Sequence, residues 1–130
     1  MKIAINGFGR IGRLTLRAFL EKKPKNVQIV AINDLADINS NVHLFKYDSI
    51  HGTFENNIEI SESSIIINNS TIKFFSQIDP LKLPWQNLGI DLVIESTGFF
   101  TDRKSASKHI EAGAKKVLIS APGKNVDLTV

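Results

Sequence analysis

A glycine-rich segment near the N-terminus, Gly7-Phe8-Gly9-Arg10-Ile11-Gly12, is the feature that most constrains the fold of this chain. It follows residues 2–6, where alternating β-branched isoleucines indicate a short buried strand. After it comes a wide apolar stripe, which predicts a helix that ends before Pro24. Residues 27–32 are almost continuously apolar, as in a parallel strand that is covered on both faces. Strand, helix and strand together predict a βαβ unit with a right-handed crossover.

The glycines and one acidic residue of this unit fit a dinucleotide site. The G-x-G-x-x-G pattern gains specificity when it follows a strand, opens a helix and has an acid about twenty residues further on. Asp34 meets this condition, 22 residues after Gly12. Gly7 would permit the tight turn, Gly9 would let a pyrophosphate approach the backbone, and Gly12 would let the helix pack on the strand. We expect the helix start to favour phosphate and the Asp34 carboxylate to bind the adenosine ribose, selecting NAD over NADP. The alternative is a glycine turn beside a surface aspartate.

The remaining pattern predicts an α/β fold, a Rossmann-type doubly wound and mostly parallel sheet with a small antiparallel hairpin insertion. We expect residues 1–130 to form one NAD(P)-binding domain that is incomplete at its C-terminal end. The predicted elements are a helix over 37–45, a hairpin or meander over 56–75, loops at 79–80 and 83–85, a strand over 91–96, a helix from Thr101 to Ala112 followed by Gly113, a strand over 116–120, and the beginning of another at 127–130.

Composition excludes several classes of function. With 42% hydrophobic and 22% charged residues, the chain is expected to fold around a core. Its net charge of +3 gives little reason to expect a nucleic-acid partner, and the basic residues of the first 25 positions other than Arg10 are assigned to a solvated helix face. The sequence indicates neither a membrane span nor a signal peptide, so a cytoplasmic location is expected.

The titratable residues offer no nucleophile or metal site. The 130 residues contain no cysteine, which excludes disulfides and thiolate chemistry for this stretch. The three histidines, His43, His51 and His109, lack metal-ligand spacing. We expect a structural role for His51 and a solvated surface position for His109.

Two further clusters end predicted strands, where ligands bind in open α/β sheets. They are Glu95-Ser96-Thr97-Gly98-Phe99-Phe100 and Ser120-Ala121-Pro122-Gly123. From the residues alone, each is as compatible with an ordinary strand-to-loop turn as with a pocket lining.

Taken together, five segments resemble glyceraldehyde-3-phosphate dehydrogenase in order and spacing. They are residues 6–13, residues 32–34, Lys46-Tyr47-Asp48-Ser49-Ile50-His51-Gly52, residues 95–100 and residues 114–122. Erythrose-4-phosphate dehydrogenase is the nearest rival within the superfamily, and the Ser-Ala-Pro segment and the Asn-Asp pair favour the glyceraldehyde enzyme.

The resemblance implies a set of NAD contacts. Backbone groups of Arg10 and Ile11 would meet the pyrophosphate, and Asp34 would hold the adenine ribose. Where the family has Glu-Arg-Asp-Pro on the adenine side, this chain has Gln77-Ile78-Asp79-Pro80, so Ile78 would keep a backbone contact at most. Thr97 and Ser120 would line the nicotinamide half. The full set of implied cofactor-binding residues is Asn6, Gly7, Gly9, Arg10, Ile11, Gly12, Asp34, Ile78, Thr97 and Ser120.

The resemblance also implies the activity of the whole enzyme. A cysteine thiolate attacks the aldehyde of glyceraldehyde 3-phosphate, hydride passes to NAD, and inorganic phosphate cleaves the thioester in a glycolytic homotetramer. That cysteine is expected beyond residue 130, so residues 1–130 alone should be inactive. The alternatives are a stand-alone, non-catalytic NAD-binding module and a fragment of erythrose-4-phosphate dehydrogenase.

Overall fold

The computed structural model describes residues 1–22, 25–47, 58–67, 70–96 and 103–119. Within these ranges, none of the helices is long and apolar enough to cross a membrane. The strands are β1 (Lys2–Asn6), β2 (Gln28–Asn33), β3 (Ile58–Ser61), β4 (Ser64–Ile67), β5 (Ser70–Phe75), β6 (Leu92–Glu95) and β7 (Lys116–Ile119). The helices are α1 (Arg10–Lys22), α2 (Ile38–Tyr47), α3 (Trp85–Leu88) and α4 (Arg103–Glu111), with a 3-10 turn at Pro80–Lys82.

The described strands form one sheet in the order β3-β4-β5-β2-β1-β6-β7. Strands β5, β2, β1, β6 and β7 pair in parallel, whereas β3, β4 and β5 form an antiparallel meander. From β1, the chain winds first towards β2 and β5 and later towards β6 and β7. This arrangement confirms the predicted doubly wound, mostly parallel sheet. The meander is continuous with that sheet, because β5 pairs with β2.

Each face of the sheet is covered by its own core. Isoleucines of β1 and β2 pack with Phe19 and Leu20 of α1 and with Phe45 of α2. The opposite face joins the alanines Ala4 and Ala31 to Trp85 of α3. An irregularity in the β1–β2 register advances β2 by one extra residue between Ile29 and Ala31. Because of this extra residue, Ile29 and Ile32 reach the same core although they lie three positions apart.

Several local predictions differ from the structure. Residues 79–80 and 83–85 were expected to be loops, but Asp79 Oδ1 accepts a hydrogen bond from Leu81 N (3.1 Å) and caps a 3-10 turn that begins at Pro80, and α3 begins at Trp85. In α1, Ile11 is 42% exposed, so the apolar stripe is narrower than predicted. Arg17 was assigned to a solvated face, but it is buried and its Nε lies 3.3 Å from Glu21 Oε1. The predicted cap at Thr101 and the strand at 127–130 lie outside the described residues.

Asp37 begins α2 through its side chain. Its Oδ1 accepts a hydrogen bond from Ser40 N at 2.8 Å, and its Oδ2 accepts one from Ser40 Oγ at 3.1 Å. These bonds satisfy a backbone donor that the first helical turn leaves without a partner. The hydrogen bond from the Ser40 backbone, followed by the one from its hydroxyl, holds the pKa of Asp37 below its ordinary value of 3.8.

We therefore predict a pH-dependent contribution of Asp37 to stability. Because the folded pKa is lowered, the contribution is fully present above pH 3.8 and is lost as the pH falls through the folded value. Asp37→Ala should lower the melting temperature at neutral pH, and the deficit should shrink in strong acid. Asp37→Asn keeps a capping acceptor and serves as the non-titrating control. Thermal melts across the acidic range check this, and an alanine deficit that stays constant with pH would contradict it.

Candidate functional site

The glycine segment lies at the carboxyl ends of the parallel strands, between the neighbours β1 and β6. From there the chain continues to β2 on one side and to β7 on the other. Gly7 has a φ of +93°, a conformation that favours glycine, and its N–H donates to Asn33 O of β2 at 2.7 Å. On the other side, Ser96 Oγ donates to Gly7 O at 2.6 Å and Ser96 N donates to Asn6 O at 2.8 Å. The turn is thus fixed between two neighbouring strands, at the position where open α/β sheets bind ligands.

The other two glycines of the segment have different surroundings. A Cβ on Gly12 would lie 2.4 Å from Gly7 O and 3.2 Å from Ile5 Cγ2, so a side chain is excluded by the backbone itself. A Cβ on Gly9 would have nothing within 4 Å. Gly9 therefore faces open space at the beginning of α1, where the N–H groups of the first turn lack helical partners. An open, backbone-lined helix start fits the pyrophosphate of a dinucleotide.

Asp34 turns back onto this glycine segment. Its Oδ1 accepts a hydrogen bond from Phe8 N at 2.8 Å. Its Oδ2 accepts one from Ala36 N at 3.1 Å and one from Asn41 Nδ2 at 3.3 Å. The carboxylate is half-buried and lies beside the residue between the first two glycines. The structure thus brings together the acid and the glycines that the sequence pattern paired.

Ile78 is brought close to Asp34 by a contact between the residues that precede them, Gln77 and Asn33. The Asn33 amide donates to Gln77 O at 3.0 Å and accepts from Gln77 N at 2.8 Å. This two-way bond docks the segment after β5 onto the end of β2. Ile78 itself is 76% exposed, so an apolar side chain stands at the rim of the site.

A buried polar chain runs beneath the site. Glu95 Oε1 accepts a hydrogen bond from Asn6 Nδ2 and lies within hydrogen-bond distance of His109 Nε2, both at 2.7 Å. Asn6 Oδ1 accepts from Asn33 Nδ2 at 2.7 Å, and Trp85 Nε1 lies 3.0 Å from His109 Nδ1. All of the polar side chains that link the three strand ends to α4 are buried: Asn6, Asn33, Glu95 and His109.

The hydrogen-bond partners of His109 determine its tautomer. An indole N–H can only donate, so Nδ1 of His109 must accept from Trp85. The ring proton therefore resides on Nε2, and Nε2–H donates to Glu95. Asn6 Nδ2 and His109 Nε2 lie 3.3 Å apart because both donate to the same carboxylate oxygen. This arrangement corrects the prediction of a solvated His109, since the residue is fully buried and hydrogen-bonded at both nitrogens.

The predicted site residues are placed as follows. Gly7, Gly9, Gly12 and Asp34 surround the beginning of α1, and Arg10 and Ile11 are exposed in its first turn. The Asn6 side chain is committed to Glu95 and Asn33, so its inclusion in the site rests on its backbone position and stays a prediction. Thr97, Ser120 and His51 lie outside the described residues.

Asn33 entered the sequence analysis only through the family resemblance, and neither it nor Asn41 was assigned a role in the site. Asn33 had a usable signal, because it ends an apolar strand directly before Asp34. Asn41 had none, since a polar residue in a helix indicates solvent exposure, whereas it is 2% exposed here. Within the described part of the chain, no three histidine or acidic side chains are grouped to hold a metal ion.

Comparison with known proteins decides the family. Residues 1–103 match the family described as glyceraldehyde 3-phosphate dehydrogenase, NAD binding domain. This chain belongs to that family. The match confirms the resemblance seen in the sequence and confirms NAD as the cofactor of this fold.

Individual relatives agree with the family assignment. The chain is similar to glyceraldehyde-3-phosphate dehydrogenase of Thermotoga maritima, with 53% identity over 99% of this chain and 39% of the relative. The Clostridium acetobutylicum enzyme is 56% identical over 95% of this chain and 36% of that protein. The Geobacillus stearothermophilus enzyme is 48% identical over the whole chain and 38% of that protein. The chain thus spans less than two fifths of the length of these relatives, which are oxidoreductases.

The two glycines predict separable effects. Gly9→Ala should change the free energy of unfolding by less than about 1 kcal/mol, because its Cβ meets open space and its φ is not positive. It should nevertheless weaken NAD binding at least about ten-fold by obstructing the helix start. Gly12→Ala should destabilise the fold by about 1–3 kcal/mol, since the backbone clash outweighs the helical preference for alanine.

Denaturant unfolding and calorimetric titration with NAD check both glycine variants. Each variant is the control for the other, because Gly9→Ala tests the open helix start and Gly12→Ala tests the packing beneath it. Normal NAD affinity in Gly9→Ala would contradict this placement of the pyrophosphate.

Substitution of the buried His109 should lower the free energy of unfolding strongly. His109→Leu removes partners from both Glu95 and Trp85, and depriving a buried carboxylate of a hydrogen-bond donor in this way costs about 3–5 kcal/mol. The matched control is His43→Leu, at an exposed histidine of α2. Chemical denaturation of both variants checks the difference, and equal small effects would show that the Glu95–His109 contact is dispensable.

Proposed function

We propose that this chain is the NAD-binding portion of a phosphorylating glyceraldehyde-3-phosphate dehydrogenase, acting in glycolysis. The observation that carries the proposal is the family match over residues 1–103. The match coincides with the open helix start at Gly9, which lies beside the hydrogen-bonded Asp34 carboxylate at the point where the strand order of the sheet reverses. When bound, NAD would supply the hydride acceptor for aldehyde oxidation.

The role of this chain in that reaction is to bind and orient the cofactor. The first turn of α1 would hold the pyrophosphate through Arg10 and Ile11 N–H groups, where the helix dipole favours negative charge. Asp34 would accept a hydrogen bond from the adenine ribose. Thr97 and Ser120, which follow β6 and β7 in the sequence, would line the nicotinamide half.

The covalent chemistry requires residues that this chain does not contain. The 130 residues include no cysteine, so they provide no thiolate to attack an aldehyde. We therefore place the nucleophile, its histidine base and the phosphate sites in a longer polypeptide of which these residues are part. The homotetramer and the cytoplasmic location implied by the resemblance remain proposals on the same footing.

The test combines an intact mass with a dehydrogenase assay on the native-length protein. We expect a mass well above 14.4 kDa, together with phosphate-dependent reduction of NAD by glyceraldehyde 3-phosphate. Erythrose 4-phosphate is the matched control substrate, and preference for it would overturn the assignment in favour of the sister enzyme. A mass of 14.4 kDa with NAD binding but no turnover would instead establish a stand-alone NAD-binding module.

A further inference from the structure

Asn41 is a buried amide whose hydrogen atoms are both directed at acceptors next to the cofactor site. Its Nδ2 donates to Asp34 Oδ2 at 3.3 Å and to Ala36 O at 3.1 Å. A carboxylate and a carbonyl can only accept, so the amide nitrogen, rather than its oxygen, must face them. The side chain is 2% exposed and lies one turn into α2. Its orientation is therefore fixed by its partners.

The contact completes a three-point hold on the Asp34 carboxylate. A carboxylate offers about four lone-pair sites on two oxygens. Phe8 N occupies one on Oδ1, while Ala36 N and Asn41 Nδ2 occupy those of Oδ2. The remaining acceptor site lies on Oδ1, the oxygen that also touches the glycine segment. Rotation of the carboxylate away from this position would break all three hydrogen bonds.

Asn41 is the part of this hold that does not come from the local backbone. Ala36 is two residues from Asp34, and Phe8 belongs to the glycine segment itself. Asn41 instead ties the carboxylate to α2, which also contacts the glycine segment through the Phe45 ring, 5.8 Å from that of Phe8. The acid is thus braced against a helix that packs on the same loop.

We propose that Asn41 is a positioning residue that determines the selectivity of the site for NAD over NADP. A mobile carboxylate can rotate away from a 2′-phosphate, whereas one held at three points keeps its negative charge where that phosphate would lie. This inference rests on the proposed function, because it requires the adenosine ribose to bind at Asp34.

The test measures the ratio of the NADP and NAD dissociation constants by calorimetry on the native-length protein. Asn41→Leu keeps the number and branching of the side-chain heavy atoms, and Asn41→Ala introduces no additional atoms, so the two variants fail to fold for different reasons if they fail at all. Each should lower the ratio about ten-fold, the equivalent of one hydrogen bond to a charged group. Asn41→Gln keeps the amide donor and should retain more of the wild-type ratio. The matched control is Asn39→Leu, at an exposed asparagine of the same helix, where the ratio should not change.

The outcomes separate this inference from the proposed function. A general loss of folding would weaken both cofactors equally, so a lowered ratio reports on the carboxylate and not on folding. An unchanged ratio in Asn41→Leu or Asn41→Ala, in a variant that melts cooperatively like the wild type, overturns the role of Asn41. Asp34→Ala should abolish the selectivity regardless of Asn41. If the wild-type protein binds neither cofactor, or Asp34→Ala leaves the ratio intact, the placement of the ribose at Asp34 is itself overturned.

Discussion

The hydrogen bonds to the Glu95 carboxylate are the interactions on which the site end of the sheet depends. Asn6 and His109 both donate to Oε1 at 2.7 Å in a fully buried environment. Asn6 is also the register partner of Glu95 in β6 and of Asn33 in β2, so the polar chain crosses the last residues of three neighbouring strands. A one-residue slip of any strand would leave buried polar groups without partners, which makes these contacts a determinant of register.

The same buried hydrogen bonds explain why the two faces of the sheet have different cores. Residues two apart along a strand share a face, so Asn6, Asn33 and Glu95 lie on the face of Ala4, Ala31 and Val93. Large isoleucines fill the face under α1 and α2, whereas the alanines of the other face leave room for Trp85. The indole fills that space and donates to His109, so one side chain serves both the apolar packing and the polar chain. The face with the smaller apolar side chains is the one that carries the buried hydrogen bonds.

Local signals predicted what is local in this molecule. The strands and the glycine turn follow from patterns within about ten residues, and Asp34 follows from its spacing of 22 residues after Gly12. The structure places all of them close to the expected positions. The burial of His109 could not be predicted in this way, because its partners lie 14 and 24 residues away and it follows a lysine in a helix that looks solvated. Asn41 was missed for a related reason, since helical periodicity indicates exposure but not what another loop brings to the same place. The short α3 follows Pro84 and has too few residues to show a helical period.

Two sets of hydrogen bonds together determine the position of the Asp34 carboxylate. Asn33 belongs to the buried chain, while the next residue, Asp34, is held above it by Phe8, Ala36 and Asn41. Displacement of β2 would therefore move the carboxylate, and displacement of α2 would release it. Among the described residues, the groups at the glycine segment are backbone N–H groups, the hydrogen-bonded Asp34 carboxylate, the Ser96 hydroxyl that donates to Gly7 O and the Arg13 guanidinium that donates to Phe8 O. Such groups act through position and charge alone, so the precision of the cofactor site depends on the rigidity of the residues that support it.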